Sequence, residues 1–487
     1  MNEGSEAGEE RAAGEERDLW FSGALFVLAL LPRLYVALAW PREPVWDGHY
    51  YDFGARRIAE GLGYSDDVVI GGRTVWHPWC HYPVGYSGFL AAFYALFGPG
   101  ARVGPVANAV VGALTVVLVH RLARFATTGT RARVAGALTA VHPGLIAYTA
   151  LLMTEPLSGF GLLLGAWLFA RHRDRAVRGG ALAGLAIGLS ALVRPPSLLL
   201  APALALFGAW RGEKGSWWSG WGVRLGAAGV ACAMAMAAVL PWTVRNCRVM
   251  DGCALVSTNA GWNLMIGAFP RATGRFETLR AGDGCAIVTG QVQQDRCWLR
   301  LGMEHIVSEP GRWLSLAPKK LGFTFDHESF PMGYLGEANP RDWPEARKAR
   351  GRAILGGASG GLLGLAALAG IPWPQRVRDR KSALSWAALA GVLALMGLAL
   401  FAETHPVWPL ALAAAVLPFL GLAPRARGER ARGGQSGVIG YMAISLLSVA
   451  VIAVVFFGED RYHMVASPAV CLLAACALRR KGGVAEV

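Results

Sequence analysis

Charged side chains are scarce in this chain: only 16% of its 487 residues are Asp, Glu, Lys or Arg. Soluble domains usually contain about 25%, so this composition does not suit a soluble globular protein. The hydrophobic residues make up 54% of the chain and come in long runs, which short arginine-rich clusters separate. That pattern predicts a protein with many bilayer-spanning helices.

Two further absences narrow the class. Residues 1–18 lack the basic start of a cleavable signal peptide, and no small-residue cleavage site follows the apolar run 19–40. We therefore expect an uncleaved first span.

Carboxylates are rare inside the apolar runs, and the two halves of the chain show no matching pair of broken helices. Both observations argue against a secondary transporter, although the number of spans would suit one.

The apolar runs predict an all-α polytopic membrane protein with about 12 transmembrane helices and short juxtamembrane helices. The predicted spans are 19–40, 103–122, 133–150, 156–171, 179–193, 196–210, 224–243, 353–372, 383–401, 406–423, 437–457 and 464–478.

Basic clusters follow every even-numbered span. They are Arg121, Arg124, Arg131 and Arg133; Arg171, Arg173, Arg175 and Arg178; Arg211 and Lys214; Arg376, Arg378, Arg380 and Lys381; Arg425, Arg427, Arg430 and Arg432; and Arg479, Arg480 and Lys481. The positive-inside rule then places both termini in the cytoplasm and the odd-numbered loops outside. The net charge of +14 is explained by these clusters, so we expect no nucleic-acid partner.

This topology divides the chain into four segments. A cytoplasmic tail (1–18) precedes an N-terminal module of about seven helices (19–243), which includes the outward loop 41–102. Residues 244–352 are too polar for the membrane and predict a small extracytoplasmic lid or acceptor-binding domain. A C-terminal module of about five helices follows (353–487). In the first outward loop we expect short helices, one of them an interfacial helix over residues 84–97.

Five of the eight cysteines lie in the predicted outward segments, where disulfides are permitted. Their spacing favours the local pairs Cys247–Cys253 and Cys285–Cys297, with Cys80 left free.

Asp47 lies a few residues beyond the first span, among Trp46, Tyr50 and Tyr51. A carboxylate in such a place can accept a proton from a hydroxyl group or hold a metal. It can also cap the helix-like segment that follows, and the two roles are compatible. Arg33 lies inside the first span, where a charge is costly. It either extends toward the membrane surface or faces a polar cavity.

Several motifs together resemble the GT-C membrane glycosyltransferases, in particular the family 39-like group that includes protein mannosyltransferases and lipid A aminoarabinose transferases. The first is the outward loop with Asp47, Tyr51, Gly61 and Gly63 and the segment 81–86. The others are Thr154 with Glu155, segment 192–195, segments 242–246 and 257–264, and segment 461–463. The resemblance runs from about residue 20 to residue 478.

The resemblance implies an inverting enzyme that transfers a sugar from a polyprenyl-phosphate donor to an extracytoplasmic acceptor. Asp47 matches the catalytic aspartate, the proposed base, and Glu155 matches a second acidic motif. Many members carry another acidic residue directly after the aspartate, whereas this chain has Gly48. The departure leaves open a relative that binds lipid without catalysis, and it leaves Asp52 or Glu155 as the second carboxylate.

The remaining site residues are expected from the chemistry of a lipid phosphate and a sugar. Arginines suit the leaving phosphate, and the outward ones are Arg56, Arg57, Arg194, Arg245 and Arg461. The predicted substrate-binding residues are Tyr51, His81, Tyr86, Asn259 and Tyr462. No cofactor is required by these residues, but Asp47, Glu155 and His81 could share a divalent metal if they meet. The sugar and the acceptor, whether lipid, glycan or protein, stay open.

Overall fold

The computed structural model describes residues 3–40, 43–172, 174–207, 221–285, 290–371, 380–419 and 434–478. Within them the chain is almost entirely helical. The helices are α1 (Glu3–Ala39), α2 (Asp47–Ala59), α3 (Val84–Phe97), α4 (Val103–Ala126), α5 (Gly129–Val141), α6 (Pro143–Ala147), α7 (Glu155–Arg171), α8 (Ala176–Val193), α9 (Leu200–Phe207), α10 (Trp221–Val249), α11 (Ala260–Ala268), α12 (Gln291–Ser308), α13 (Pro310–Ser315), α14 (Ala317–Phe325), α15 (Phe330–Ala338), α16 (Glu345–Ala369), α17 (Arg380–Phe401), α18 (Trp408–Val416), α19 (Gly434–Val455) and α20 (Ser467–Ala475).

Seven of these helices are long and apolar enough to cross a membrane, namely α1, α4, α8, α10, α16, α17 and α19. The all-α polytopic class is therefore confirmed. The other five predicted spans coincide with α5 to α6, α7, α9, α18 and α20, which are shorter or interrupted. Proline accounts for most of the breaks, since Pro143, Pro195, Pro418 and Pro468 have no backbone N–H for a continuing helix.

The orientation stays a prediction. Many of the basic residues on which it depends lie outside the described residues: Arg173, Arg211, Lys214, Arg376, Arg378, Arg425, Arg427, Arg430, Arg432, Arg479, Arg480 and Lys481.

Close helix packing joins α8 to α10 through small residues. Glycines on α8 face alanines on α10 at four-residue spacing, and a Cβ added to any of them would lie within 2.7 Å of an alanine carbonyl oxygen. The pairs are Gly180 with Ala227, Gly184 with Ala231 and Gly188 with Ala235. Small residues at this spacing let two membrane helices approach closely.

Arg33 faces the interior, so its extension toward the membrane surface is excluded. It is completely buried and lines a cavity of about 360 Å³, in which Asn108, Thr115 and Glu155 are further polar residues. Its guanidinium donates to the carbonyl oxygens of Ala140 at 2.9 Å and Thr139 at 3.1 Å. These carbonyls end α5 and are free to accept, partly because Pro143 has no N–H to donate to Thr139. Arg33 therefore caps the carboxyl end of α5.

The first outward loop contains α2, a β-hairpin and α3. Strand β1 (Ser65–Ile70) pairs antiparallel with β2 (Arg73–Pro78), from Ser65 opposite Pro78 to Ile70 opposite Arg73. We did not predict this hairpin. The sequence feature that indicates the hairpin is the pair Gly71–Gly72 between two β-prone runs. Both glycines have positive φ in the structure, as a two-residue hairpin turn requires. The predicted helix over 84–97 is confirmed.

A folded region that we predict to face outward lies between α10 and α16. It contains α11 to α15, and its core includes Met265, Phe269, Leu279 and Trp298. The predicted disulfides Cys247–Cys253 and Cys285–Cys297 are both present, and Cys80 is free and buried. α10 extends to Val249 and α16 begins at Glu345, so both helices continue past the predicted limits of 244–352.

Candidate functional site

Asp47 forms the centre of a polar cluster at the start of α2. One carboxylate oxygen accepts from the Arg461 guanidinium at 2.5 Å and the other accepts from the Tyr82 hydroxyl at 3.0 Å. Burial alone would raise the pKa of Asp47, but Arg461 and Tyr82 outweigh it and hold this pKa below its usual 3.8. The predicted capping role is wrong, because Trp46 occupies the N-cap position and Asp47 is the first helical residue.

Arg461 joins Asp47 to a second carboxylate, that of Glu459, which was not among the predicted site residues. Arg461 lies in a 3-10 turn (Asp460–Val465) before α20, and its Nε donates to Glu459 at 2.8 Å. Its guanidinium lies over the rings of Phe330 and Tyr462, at 4.9 and 5.5 Å from their centroids. Burial raises the pKa of Glu459 to about 7, even though Arg461 acts in the opposite direction.

Glu155 and Arg194 form an ion pair beside this cluster. Glu155 is completely buried at the start of α7, and Arg194 follows α8. Arg194 donates to the Glu155 carboxylate at 2.6 Å and to the Thr154 hydroxyl at 3.1 Å. Its guanidinium also lies 5.2 Å from the Tyr462 ring centroid. Contacts thus run from Asp47 through Arg461, Tyr462 and Arg194 to Glu155, across four predicted outward loops.

Removing Arg194 should destabilise the protein. In Arg194→Leu the Glu155 carboxylate would stay buried without its partner, which typically costs about 3–5 kcal/mol. We expect a clear loss of thermal stability in detergent, and we expect the double variant Arg194→Leu/Glu155→Gln to recover much of it. A double variant no more stable than Arg194→Leu would contradict this account of the pair.

A pocket opens next to Arg194. It has a volume of about 400 Å³ and lies between α7, α9, α19 and the turn that carries Arg461. Its lining combines polar side chains with apolar ones; the polar ones include Arg194, Tyr462, Ser158, Ser197 and Ser448, and the apolar ones include Leu162, Leu200, Val449 and Ile452. A cation in a largely apolar pocket suits a ligand with a phosphate group and a hydrocarbon chain.

Two other predicted residues border Asp47. Tyr51 is buried and packs edge-on against Tyr82 and Tyr86, with ring centroids 5.5 and 5.4 Å apart. His81 lies between Tyr82 and Trp262. Burial lowers the pKa of His81 below 6.5 despite the opposing charge of Asp47, so its imidazole is neutral at pH 7.

The remaining predicted residues bind other partners. Arg56 binds Asp52 at 2.7 Å, and Arg57 binds Asp67 of the hairpin at 2.6 Å. Arg245 donates to the backbone carbonyls of Tyr64 and Trp79 at 2.7 and 2.9 Å. The Tyr86 hydroxyl pairs with Asn108, and Asn259 accepts from Ser257. The structure therefore gives these five residues supporting contacts, and their roles in substrate binding stay predictions.

Other residues around Arg461 were missed. Asp460 accepts from the backbone N–H groups of Ser329 and Phe330 and so caps α15. Both ring nitrogens of His463 face acceptors, the Glu328 carboxylate at 2.7 Å and the Thr324 carbonyl at 2.9 Å. A doubly protonated imidazole would donate to both. The charged residues of segment 459–463 were the sequence feature that could have indicated these contacts. The partners Ser329 and Glu328, however, lie more than 130 residues away in the sequence.

Asp47, Glu155 and His81 are the predicted ligands of a shared divalent metal, and that role stays a prediction. Among the described residues no group of three or more His, Cys, Asp or Glu side chains is placed to share an ion. Both oxygens of Asp47 are engaged by Arg461 and Tyr82, and one oxygen of Glu155 is engaged by Arg194. We derive no step through a metal.

Comparisons with solved structures give distant likenesses. The archaeal oligosaccharyltransferase AglB from Archaeoglobus fulgidus, in complex with an inhibitory peptide and a dolichol-phosphate, is 14% identical, with a TM-score of 0.44 over 94% of this chain and 50% of that one. ArnT from Cupriavidus metallidurans, bound to undecaprenyl phosphate, is 17% identical, with a TM-score of 0.37 over 91% and 77%. The chain thus spans about half the length of AglB. Among curated proteins, none matches.

The sequence itself also matches a family. Residues 81–242 match the family described as dolichyl-phosphate-mannose-protein mannosyltransferase. The matched segment includes His81, Tyr82, Glu155 and Arg194, which all lie in or beside the cluster around Asp47. This match agrees with the resemblance that the motifs predicted.

Proposed function

We propose that this protein is a membrane glycosyltransferase that passes a sugar from a polyprenyl-phosphate donor to an extracytoplasmic acceptor. The observation that carries the proposal is the cluster of Asp47, Arg461, Arg194 and Glu155 beside the pocket of about 400 Å³. The match of residues 81–242 to the mannosyltransferase family supports it.

In this reaction Asp47 is the base. As the acceptor oxygen attacks the anomeric carbon, its hydroxyl proton passes to Asp47, and the bond between that carbon and the phosphate oxygen breaks. The electron pair of that bond leaves with the polyprenyl phosphate, and the configuration at the carbon inverts. Because the pKa of Asp47 is held below 3.8, the carboxylate is ionised at neutral pH, which is the form that a base needs.

The arginines would hold the donor phosphate. Arg194 lines the pocket, and Arg461 is linked to Arg194 through the Tyr462 ring. Negative charge develops on the phosphate as the sugar leaves, and guanidinium groups in a partly buried site stabilise such charge strongly. The apolar walls of the pocket would take the first part of the polyprenyl chain, while the surrounding membrane takes the rest.

The proposed orientation places the cluster outside the cytoplasm, in the plasma or inner membrane, with both termini inside. The outward region between α10 and α16 lies next to Asp47, through Phe330 and Tyr334 of α15. Its place suits the binding of the acceptor, a lipid, glycan or protein.

The decisive experiment is a transfer assay with the purified protein in liposomes. It uses a panel of polyprenyl-phosphate-linked sugars, with nucleotide sugars as the comparison. We expect transfer from at least one lipid-linked sugar and none from nucleotide sugars. Ion-coupled uptake of a solute without any lipid donor would favour a transporter instead. Donor binding without transfer to any acceptor would favour a lipid-binding relative.

Glu459 should make donor binding depend on pH near neutrality. Its pKa is raised to about 7, and it faces Arg461, Asp47 and Asp460. Above pH 7 the ionised Glu459 competes with the donor phosphate for Arg461, and below pH 7 its charge is lost. We therefore expect the KM for the donor to rise between pH 6 and 8, and we expect this rise to vanish in Glu459→Gln. An unchanged pH profile in Glu459→Gln would contradict the prediction.

A further inference from the structure

Gly48, directly after Asp47, has no room for a side chain. It is buried, and an ideal Cβ there would lie 2.3 Å from the Tyr334 hydroxyl oxygen and 3.1 Å from two atoms of the same ring. Real Cβ atoms essentially never come closer than 3.0 Å to another heavy atom. The space that a side chain at residue 48 would need is therefore filled by a tyrosine from α15.

Tyr334 is held against the backbone of residues 45–48. Its side chain is buried, and its hydroxyl accepts from the Val45 N–H at 3.4 Å. Its ring meets the Trp46 indole edge-on, at 5.9 Å between centroids. The tyrosine thus contacts the residues on both sides of Asp47.

Trp46 has a backbone conformation that bulky residues rarely adopt. Its φ is +51° and its ψ is −134°. Such a conformation costs free energy and persists only where the surroundings hold it. Here the indole packs on α15, against the Phe330 ring at 5.5 Å and over Gly333, where an added Cβ would lie 3.2 Å from the indole. α15 therefore holds the strained residue that precedes Asp47.

The same helix also holds the partner of Asp47. Asp460 caps the start of α15 through the Ser329 and Phe330 N–H groups, and Arg461, the next residue, stacks on the Phe330 ring. One end of α15 therefore contacts the turn with Arg461, and its next turn contacts the backbone around Asp47.

We propose that Tyr334 is a positioning residue, which takes the space of any side chain at residue 48 and sets the geometry of the Asp47–Arg461 pair from α15. The expected effect of Tyr334 on kcat rests on the proposed function, whereas its contact with residue 48 does not. It means that the outward region between α10 and α16 is a structural part of the active site and not only a lid over it.

The test is a double-mutant cycle of Gly48→Ala and Tyr334→Phe. The phenylalanine removes the hydroxyl that an alanine Cβ would strike and leaves the ring in place. Alanine normally stabilises a helical position relative to glycine, so a loss of stability in Gly48→Ala points to the contact. Gly88→Ala on α3 is the matched control, because no described atom lies within 4 Å of the added Cβ.

We expect Gly48→Ala to unfold at a lower temperature than the wild type. We also expect its kcat to fall about 100-fold, since displacement of a catalytic group by 1 Å can have this effect, with little change in the KM for the donor. Tyr334→Phe should have a small effect alone and should restore most of both losses when combined with Gly48→Ala. Gly88→Ala should behave as the wild type.

Two results would overturn the inference. One is a Gly48→Ala protein that Tyr334→Phe does not rescue. The other is a Gly48→Ala protein whose unfolding temperature falls and is rescued by Tyr334→Phe, but whose kcat equals that of the wild type. Tyr334 would then have a structural role alone. A wild-type protein that transfers sugar from no donor would instead overturn the proposed function, and the unfolding temperatures would still decide whether Tyr334 excludes a side chain at residue 48.

Discussion

Asp47→Asn should lose transfer activity by a factor of about 100 to 10⁴, the range that a positioned proton acceptor contributes. The amide has nearly the same shape as the carboxylate and cannot accept a proton at neutral pH. The Tyr82 hydroxyl can still donate to the amide oxygen, so the start of α2 should keep its structure. The measurement is kcat with the best lipid-linked sugar, together with the binding of that donor in the absence of acceptor.

The control for this variant is Asp66→Asn. Asp66 lies in the same outward loop and pairs with His77 on the hairpin, outside the cluster around Asp47. It should keep wild-type activity. An Asp47→Asn protein that folds, binds the donor and transfers at the wild-type rate would remove Asp47 from the role of base.

Arg461→Gln should lower activity about 100-fold to 1000-fold, as the loss of one stabilising contact in a buried site does elsewhere. It should also change the pH dependence of kcat. Arg461 is the main group that lowers the pKa of Asp47, whereas burial raises it. Without Arg461 the pKa of Asp47 rises, so the carboxylate becomes protonated at a higher pH. The acidic limb of the kcat profile should therefore move to higher pH, and part of the lost activity should return as the pH rises.

Two further variants separate charge from structure at this position. Arg461→Lys keeps a positive charge near Asp47 but cannot bind Asp47 and Glu459 with one planar group. In this variant the acidic limb of the kcat profile should stay at its wild-type pH, while kcat itself should still fall. Arg347→Gln on α16 is the control, because Arg347 also stacks on an aromatic ring, that of Trp343 at 3.9 Å, away from the cluster. An acidic limb that does not move in Arg461→Gln would show that Arg461 does not set the pKa of Asp47.

Local patterns in the sequence predicted the features that depend on neighbouring residues. The apolar runs predicted the helices, and the short cysteine spacings predicted both disulfides. The motif around Asp47 drew attention to the residue at the centre of the polar cluster, whose catalytic role stays a prediction. Each of these signals lies within a few tens of residues. The breaks at Pro143, Pro195, Pro418 and Pro468 were also visible, but apolar composition alone does not show whether a span is continuous.

The partners of long charged side chains were much harder to predict. Arg56 and Arg57 are neighbours in sequence, yet one binds Asp52 on its own helix and the other binds Asp67 on a hairpin that we did not predict. Arg461 binds Asp47 across 414 residues. An arginine can reach any carboxylate within several ångströms, so the fold decides its partner, and the outward arginines alone could not show which ones meet Asp47.

Arg33 has a consequence for the biogenesis of this protein. A lone α1 would carry an unpaired charge into the bilayer, which costs about 2.5–3.5 kcal/mol on insertion scales. The acceptors that relieve this cost, the carbonyls of Thr139 and Ala140, are synthesised more than 100 residues later. Arg33 can donate to the Ala29 carbonyl within α1 at once, but it completes its hydrogen bonds only after α5 has been synthesised.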